Sequence, residues 1–217
     1  MTLEARSVQH PTPEERERRK RDKEETRARV VDAARALFSR EGFEKVTIRM
    51  IAEEAGVATG SVFITFTSKD ELCDEIISEY IVALGARLAS AAAATAGRPA
   101  LERLTALAQE ALDIPSERMT FIREAIAASW TRSEAADRKL RHAAAPAVEA
   151  FERVLAEAEA AGELSAKVDR RALGELLWLM MATAFRSALY DGVSLTQAKE
   201  RLAKQMAVAM QGWRSPC

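Results

Sequence analysis

Cysteine, proline and glycine are all scarce in this sequence, and each shortage removes a class of structure. Cys73 and Cys217 are the two cysteines among 217 residues. They are too few for a disulfide framework and too far apart for a metal-ligand cluster, so no metal and no cofactor is expected. A reducing cytoplasm is the expected home. Nine glycines and six prolines leave helices few interruptions. Alternating apolar and polar stretches rich in Val, Ile and Thr are missing, which argues against a sheet. No apolar run approaches ~18 residues, so no membrane span is expected. The N-terminus lacks the apolar stretch of a secretory signal. Charge of one sign is missing too: 32 Lys and Arg face 33 Asp and Glu, a net charge of -1. That excludes a basic nucleic-acid coat, yet it leaves room for a local positive surface. The two histidines, His10 and His142, have no nucleophile or acid spaced to work with them, so an enzyme is not expected.

What the sequence does contain is helical periodicity. Residues 1–13 carry Pro11 and Pro13 and no apolar period, and they read as a tail. Residues 14–29 are almost wholly charged, with eight basic and four acidic residues from Arg16 to Arg29. Two readings of this stretch stay open: a solvated helical extension laced by i,i+4 ion pairs, or a basic arm that touches DNA phosphates or the minor groove. As a domain, residues 1–25 are expected to be a charged, flexible extension. Val30, Ala33, Ala34, Leu37 and Phe38 then recur at helical spacing, and Gly42 ends that helix. Thr47 looks like the N-cap of a second helix that buries Ile48, Ile51, Ala52 and Ala55 and stops at Gly56. Thr59 is expected to cap a third, short helix with Val62 and Phe66 inward. Ser68-Lys69-Asp70-Glu71 reads as a capping box, with Glu71 reaching back to the Ser68 N–H.

Three short helices with a tight glycine turn before the last describe a helix-turn-helix. In that motif the second helix braces across the DNA backbone and the third enters the major groove. The run GFEKVTIRMIAEEAGVATGSVFITFTSKDEL also resembles the DNA-binding domain of the TetR family. The shared residues are Gly42-Phe43, Thr47, Ile51-Ala52, Ala55-Gly56-Val57, Phe66, Ser68-Lys69 and Leu72. The resemblance implies a DNA-binding domain over 26–70 and a helical ligand-binding and dimerisation domain over 71–217. It implies roles residue by residue. Lys69 resembles the family's phosphate-contacting lysine, at a helix start that also offers N–H groups to phosphate. Thr47 and Arg49 open the brace helix toward backbone or base edge. Thr59, Gly60 and Ser61 resemble the tip of the recognition helix, where Gly60 permits a close approach. Phe63, Ile64 and Thr65 are also available to point outward. The chain departs from the family at Phe63, usually tyrosine, which has no hydroxyl for phosphate but can pack on a sugar or a thymine methyl. Ile64, odd on an exposed polar face, suits the same apolar contact.

Beyond residue 70 the pattern is of long helices, bringing the expected total to about nine in an all-α fold. The helix that Ser68 starts is expected to stop at Gly97-Arg98-Pro99, the next to carry Pro99 in its first turn and end before Pro115, and further helices to lie near 116–132, 134–161, 169–190 and 194–213, with Pro146 kinking or splitting the 134–161 helix. The segment LGELLWLMMATAF is apolar on nearly all sides and so wants burial on more than one face. In a TetR-like protein the last two helices pair with their mates across a dimer, and Leu177, Met180, Leu195, Leu202, Met206 and Trp213 are the candidate interface. Ile122, Ile126, Trp130, Trp178, Met181 and Phe185 are candidates to line a ligand cavity; read singly, each is equally an ordinary core residue. Gln109, Arg123, Arg186 and Tyr190 are candidate polar anchors. Cys73, near Lys69 at a helix start, reads either as a redox-responsive thiol or as a buried small hydrophobe. The expected function is a homodimeric repressor on double-stranded palindromic operator DNA, released by an apolar or aromatic small-molecule effector. A regulator of the same fold driven by a partner protein, or acting as an activator, is the alternative.

Overall fold

The computed structural model describes residues 12–113, 122–123 and 134–212. Among the described residues there are eight helices and no strand: α1 (Pro13–Glu41), α2 (Ile48–Ala55), α3 (Thr59–Thr65), α4 (Lys69–Ala94), α5 (Ala100–Ala111), α6 (Glu134–Ala160), α7 (Arg170–Tyr190) and α8 (Leu195–Gln211). The helix expected near 116–132 lies largely outside them; Ile122 and Arg123 are helical, and Ile122 is buried.

Local chemistry explains where most helices begin. Thr12 forms a capping box with Glu15: its hydroxyl accepts from the Glu15 N–H at 3.2 Å, and its own N–H donates to the Glu15 carboxylate at 2.9 Å. Pro13 then fits the first turn. These signals start α1 at Pro13, so residues 13–25 are helical rather than a flexible extension. Thr47 caps α2 by accepting from the Met50 N–H at 3.3 Å, and Gly56 closes it in the left-handed conformation (φ 64, ψ 38). Asp169 caps α7, and a Ser194–Gln197 capping box starts α8. Helix α6 runs through Pro146 without splitting. The carbonyl one turn earlier, which loses its N–H partner, belongs to exposed His142.

The buried side chains fall into two clusters. The first joins α1, α2 and α3 to the start of α4: Val30, Ala34, Phe38, Val46, Ile51, Val62, Phe66, Leu72 and Ile76 are its centre. It extends to Ile77, so the first turns of α4 pack with the N-terminal helices rather than beginning a separate unit at residue 71. The second cluster gathers Leu84 and Leu88 of α4, Leu104 and Leu107 of α5, Phe151 and Leu155 of α6, Leu177 and Met181 of α7, and Leu202 and Met206 of α8. Helix α4 is therefore common to both cores. By length and mean hydropathy α4 and α7 would each suffice to cross a membrane. Here α4 packs against α1, α5 and α6, and α7 packs between α6 and α8. Arg103 of α5 is buried and ties the far end together, pairing with Glu157 of α6 at 2.6 Å and donating to the Ala92 carbonyl at 3.2 Å.

Candidate nucleic-acid interface

The short helix α3 is held from one side and bare on the other. Val62 is fully buried, and Phe66, just past the helix, is 2% exposed. Between them Phe63 is 53% exposed and Ile64 77% exposed. Thr59 and Gly60 are exposed, while Ser61 and Thr65 are half-buried. Thr65 donates its hydroxyl to the Ser61 carbonyl at 3.4 Å, which leaves it turned along the helix. The N-cap position is taken by Ala58, not Thr59, and no side chain caps this helix. Thr59 is already the first helical residue, so its hydroxyl is not spent on the backbone of α3.

Gly60 has no neighbour within 4 Å of where a side-chain carbon would stand. Nothing inside the protomer therefore demands glycine there. Thr47 and Arg49 sit at the exposed start of α2. Among the described residues Arg49 pairs with Glu53 on its own helix, at 3.0 Å, and its side chain is 82% exposed. Such a pair is worth little and yields readily to a competing anion.

Lys69 is placed differently from the others. Its ammonium donates to the Phe43 carbonyl at 2.7 Å and lies 4.1 Å from the centre of the Phe43 ring. It thus fastens the turn after α1 to the start of α4 while remaining half-exposed. The cap of α4 also differs in detail from the expected box. The Ser68 hydroxyl accepts from the Glu71 N–H at 3.0 Å. The Glu71 carboxylate reaches one residue beyond Ser68, taking the Thr67 N–H and the Thr67 hydroxyl, each at 2.7 Å. Those two bonds, the hydroxyl foremost, hold the Glu71 carboxyl below its ordinary value. Cys73 is buried in the same core, as a small hydrophobe would be.

Sequence reasoning missed a tie on the inner side of this domain. Glu75 of α4 is paired with Arg27 of α1 and with Lys139 of α6. The Arg27 guanidinium also lies 5.2 Å from the centre of the Phe66 ring. Burial opposes ionisation of Glu75, but the bonds from Lys139 and Arg27 outweigh it and lower its pKa. No local pattern joins residues 48 and 64 positions apart, so only the packing of α1, α4 and α6 assembles this cluster.

The remaining candidates divide by burial. Met181 and Phe185 are buried in the second core, as is Ile122, and Trp178 packs half-buried against it. Ile126 and Trp130 lie outside the described residues. Arg123 and Tyr190 contact each other: the Tyr190 hydroxyl donates to the Arg123 carbonyl, and the guanidinium lies over the ring at 5.2 Å. Arg186 pairs with Asp191, and Gln109 is exposed. Of the expected interface residues, Leu177, Leu202 and Met206 are at most 1% exposed within the protomer. Their side chains fill its own core and are not available to a second chain. Met180 and Leu195 are half-buried, and Trp213 lies outside the described residues. On α7 and α8, Leu176 (43%), Leu179 (61%) and Val208 (69%) are among the apolar residues that do face outward.

Comparison with known proteins fits this geometry. Residues 30–76 match the family described as bacterial regulatory proteins, tetR family. The HTH-type transcriptional repressor KstR2 of Mycobacterium tuberculosis is 36% identical over 81 residues, which are 37% of this chain and 40% of that protein. The chain thus aligns with about two fifths of the length of this curated relative. Solved structures align over nearly the whole chain at low identity. A TetR-family transcriptional regulator from Pectobacterium atrosepticum superposes with a TM-score of 0.71 at 18% identity, over 90% of this chain and 97% of that one. FadR from Bacillus subtilis, in complex with stearoyl-CoA, does so with a TM-score of 0.64 at 14% identity, over 82% and 96%. Residues 30–76 thus match the tetR family of bacterial regulatory proteins, and they are lodged in a fold shared with such regulators.

Proposed function

We propose that the protein is a dimeric transcriptional repressor that lays α3 in the major groove of operator DNA and leaves it when a small molecule binds among the C-terminal helices. The observation that carries this reading is the exposed face of α3. Two large apolar side chains, Phe63 and Ile64, stand in solvent on a helix whose opposite side is locked by Val62 and Phe66. Exposure of that kind costs free energy in water and is recovered against thymine methyls and sugars. Thr59, Gly60 and Ser61 form the tip that meets the groove, while Thr47 and Arg49 lie where a phosphate strand would pass. Lys69 acts chiefly by fixing the start of α4 to the Phe43 turn, with its exposed side toward phosphate.

Reading a palindrome needs two recognition helices about one DNA turn apart, roughly 34 Å. The outward row of Leu176, Leu179 and Val208 on α7 and α8 supports pairing with a second copy at that end of the molecule. In this reading the effector binds beside the second core, near Trp178, Met181 and Phe185. An apolar effector suits these side chains, and FadR, a neighbour in fold, was crystallised with stearoyl-CoA. Helix α4 is the coupling element, because one rigid rod takes part in both cores. An effector that prefers a tilted α4 would displace both α3 helices from register, and about 1–3 kcal/mol of coupling changes operator affinity roughly 5- to 150-fold. Its site of action is the cytoplasm, where the operator is.

The test is a fluorescence anisotropy titration of the purified chain against duplexes from the region upstream of its own coding sequence. Binding with a steep salt dependence is expected. Ile64→Ala and Ser61→Ala should change which sequences are preferred, whereas Arg49→Ala should weaken all of them alike. A protein that remains monomeric, or that binds no duplex at low ionic strength, overturns the proposal.

A further inference from the structure

Helix α3 is seven residues long and has no side-chain cap at its start. A helix that short is marginal by itself, so its shape and aim depend on what holds it. Val62 and Phe66 anchor it to the first core. Phe66 is its C-cap, with the N–H donating to the Val62 carbonyl at 2.9 Å, and Thr67 and Ser68 carry the chain into α4. The turn from Phe66 to Ser68 is therefore the place where α3 is steadied or loosened.

Four charged side chains from three helices gather at that turn. Glu71 and Glu75 lie one helical turn apart on the same face of α4. Glu71 accepts from the Thr67 N–H and the Thr67 hydroxyl, each at 2.7 Å. Glu75 accepts from Arg27 of α1 on one carboxylate oxygen and from Lys139 of α6 on the other. The Arg27 guanidinium in turn lies 5.2 Å from the centre of the Phe66 ring. Two carboxylates placed as Glu71 and Glu75 are repel each other. Lys69, close to both in sequence, is turned instead to the Phe43 carbonyl. Lys139 supplies the missing cation: it pairs with Glu75 and, after the two bonds from Thr67, also favours the ionised Glu71 carboxyl. It thus acts on both routes to the turn, one through Glu75 and Arg27 to Phe66, the other through Glu71 to Thr67.

Lys139 comes from a helix that is anchored elsewhere. Helix α6 buries Phe151 and Leu155 in the second core. Near its start it meets the first core through Leu140, which packs half-buried against it, with Lys139 alongside. Arg138, the neighbouring cation, pairs with Glu134 on α6 itself. Of two adjacent cations, one is spent within α6 and the other reaches the base of α3.

We infer that Lys139 is a positioning residue for α3, bracing the α3–α4 turn from α6 through Glu75 and Glu71. The inference rests on the DNA-binding reading above for what α3 does, though not for how α3 is held. It gives the C-terminal helices a grip on the recognition helix besides the shared rod α4. Lys139 acts through other side chains and touches no DNA, so it governs how well α3 discriminates sequences and not how many counterions are released.

Two full-length variants test it, Lys139→Met and Arg138→Met. Each removes one exposed cation from α6 and leaves a good helix former in its place. Amide hydrogen exchange over residues 59–68, followed by mass spectrometry, reads the hold on α3 directly. Exchange there should quicken about two- to fivefold in Lys139→Met, the scale set by losing a half-exposed ion pair, and stay at the wild-type rate in Arg138→Met. In a Glu75→Gln background, Lys139→Met should add little further. Anisotropy titrations against an upstream duplex and a scrambled one give the second readout. The ratio of the two affinities should fall by a similar factor per protomer in Lys139→Met, with the slope of log affinity on log salt unchanged. Unaltered exchange over 59–68 in Lys139→Met overturns the brace, and so does equal quickening in both variants. A flatter salt slope with wild-type exchange overturns it as well, because Lys139 then meets phosphate directly. A wild type that binds neither duplex retires the DNA-binding reading, and the exchange rates then decide the brace alone.

Discussion

Gly60 is the residue whose identity the protomer does not explain. It lies in the first turn of α3, its φ is not positive, and a methyl group there meets nothing within 4 Å. Glycine in a helix costs up to about 1 kcal/mol relative to alanine. Gly60→Ala should therefore stabilise the isolated protein by a few tenths to about 1 kcal/mol, read as a higher urea midpoint. The same change should weaken DNA binding by about tenfold, or 1.4 kcal/mol, because the methyl stands where the groove must approach. Opposite signs in the two assays mark a position kept for contact. Phe63 and Ile64 pose the same question in apolar terms, since their exposure serves nothing inside the chain.

At the scale of elements, α4 and α6 approach closely enough to leave no room for a side chain at Gly85. A carbon built there would stand 2.8 Å from the Pro146 side chain and 3.1 Å from the Ala147 backbone nitrogen. Gly85→Ala should push the two helices apart and cost about 1–3 kcal/mol, visible in equilibrium unfolding, despite alanine's better helix propensity. Pro146 thus sits at a crossing point as well as inside a helix. The Glu75 cluster is the other joint between elements, linking α1, α4 and α6 through Arg27 and Lys139. Glu75→Gln should destabilise the protein by about 1 kcal/mol at neutral pH, a modest figure because both cations are partly solvated. A carboxyl with a lowered folded pKa stabilises the fold above the ordinary glutamate range and ceases to as pH falls through the folded value. The gap between wild type and Glu75→Gln in urea unfolding should therefore close in acid.

For the whole molecule, the exposed apolar residues on α7 and α8 are where the proposed pairing of protomers is tested. Leu179 is 61% exposed, while Leu177, two residues away, is fully buried. Leu179→Glu should leave folding intact and abolish the dimer in sedimentation equilibrium. Leu177→Glu should instead lower the thermal midpoint sharply or prevent folding, because it places an unpaired charge in the core. If Leu179→Glu remains dimeric, the two copies meet elsewhere.

Much of this was legible in the residues alone. The glycine at 56, the cap at Thr47, the buried pair Val62 and Phe66 and the unbroken apolar periodicity determined an all-helical chain with a helix-turn-helix near its start, because caps, turns and helical spacing are local properties. The side of a helix that faces a neighbour is not local. Helix α7 is apolar nearly all round, so its pattern could not distinguish Leu177, inward, from Leu176 and Leu179, outward. Nor did spacing reveal that Lys69 would bind the Phe43 carbonyl or that Glu75 would join three helices. Those arrangements depend on how the rods cross, which is settled only when both cores pack.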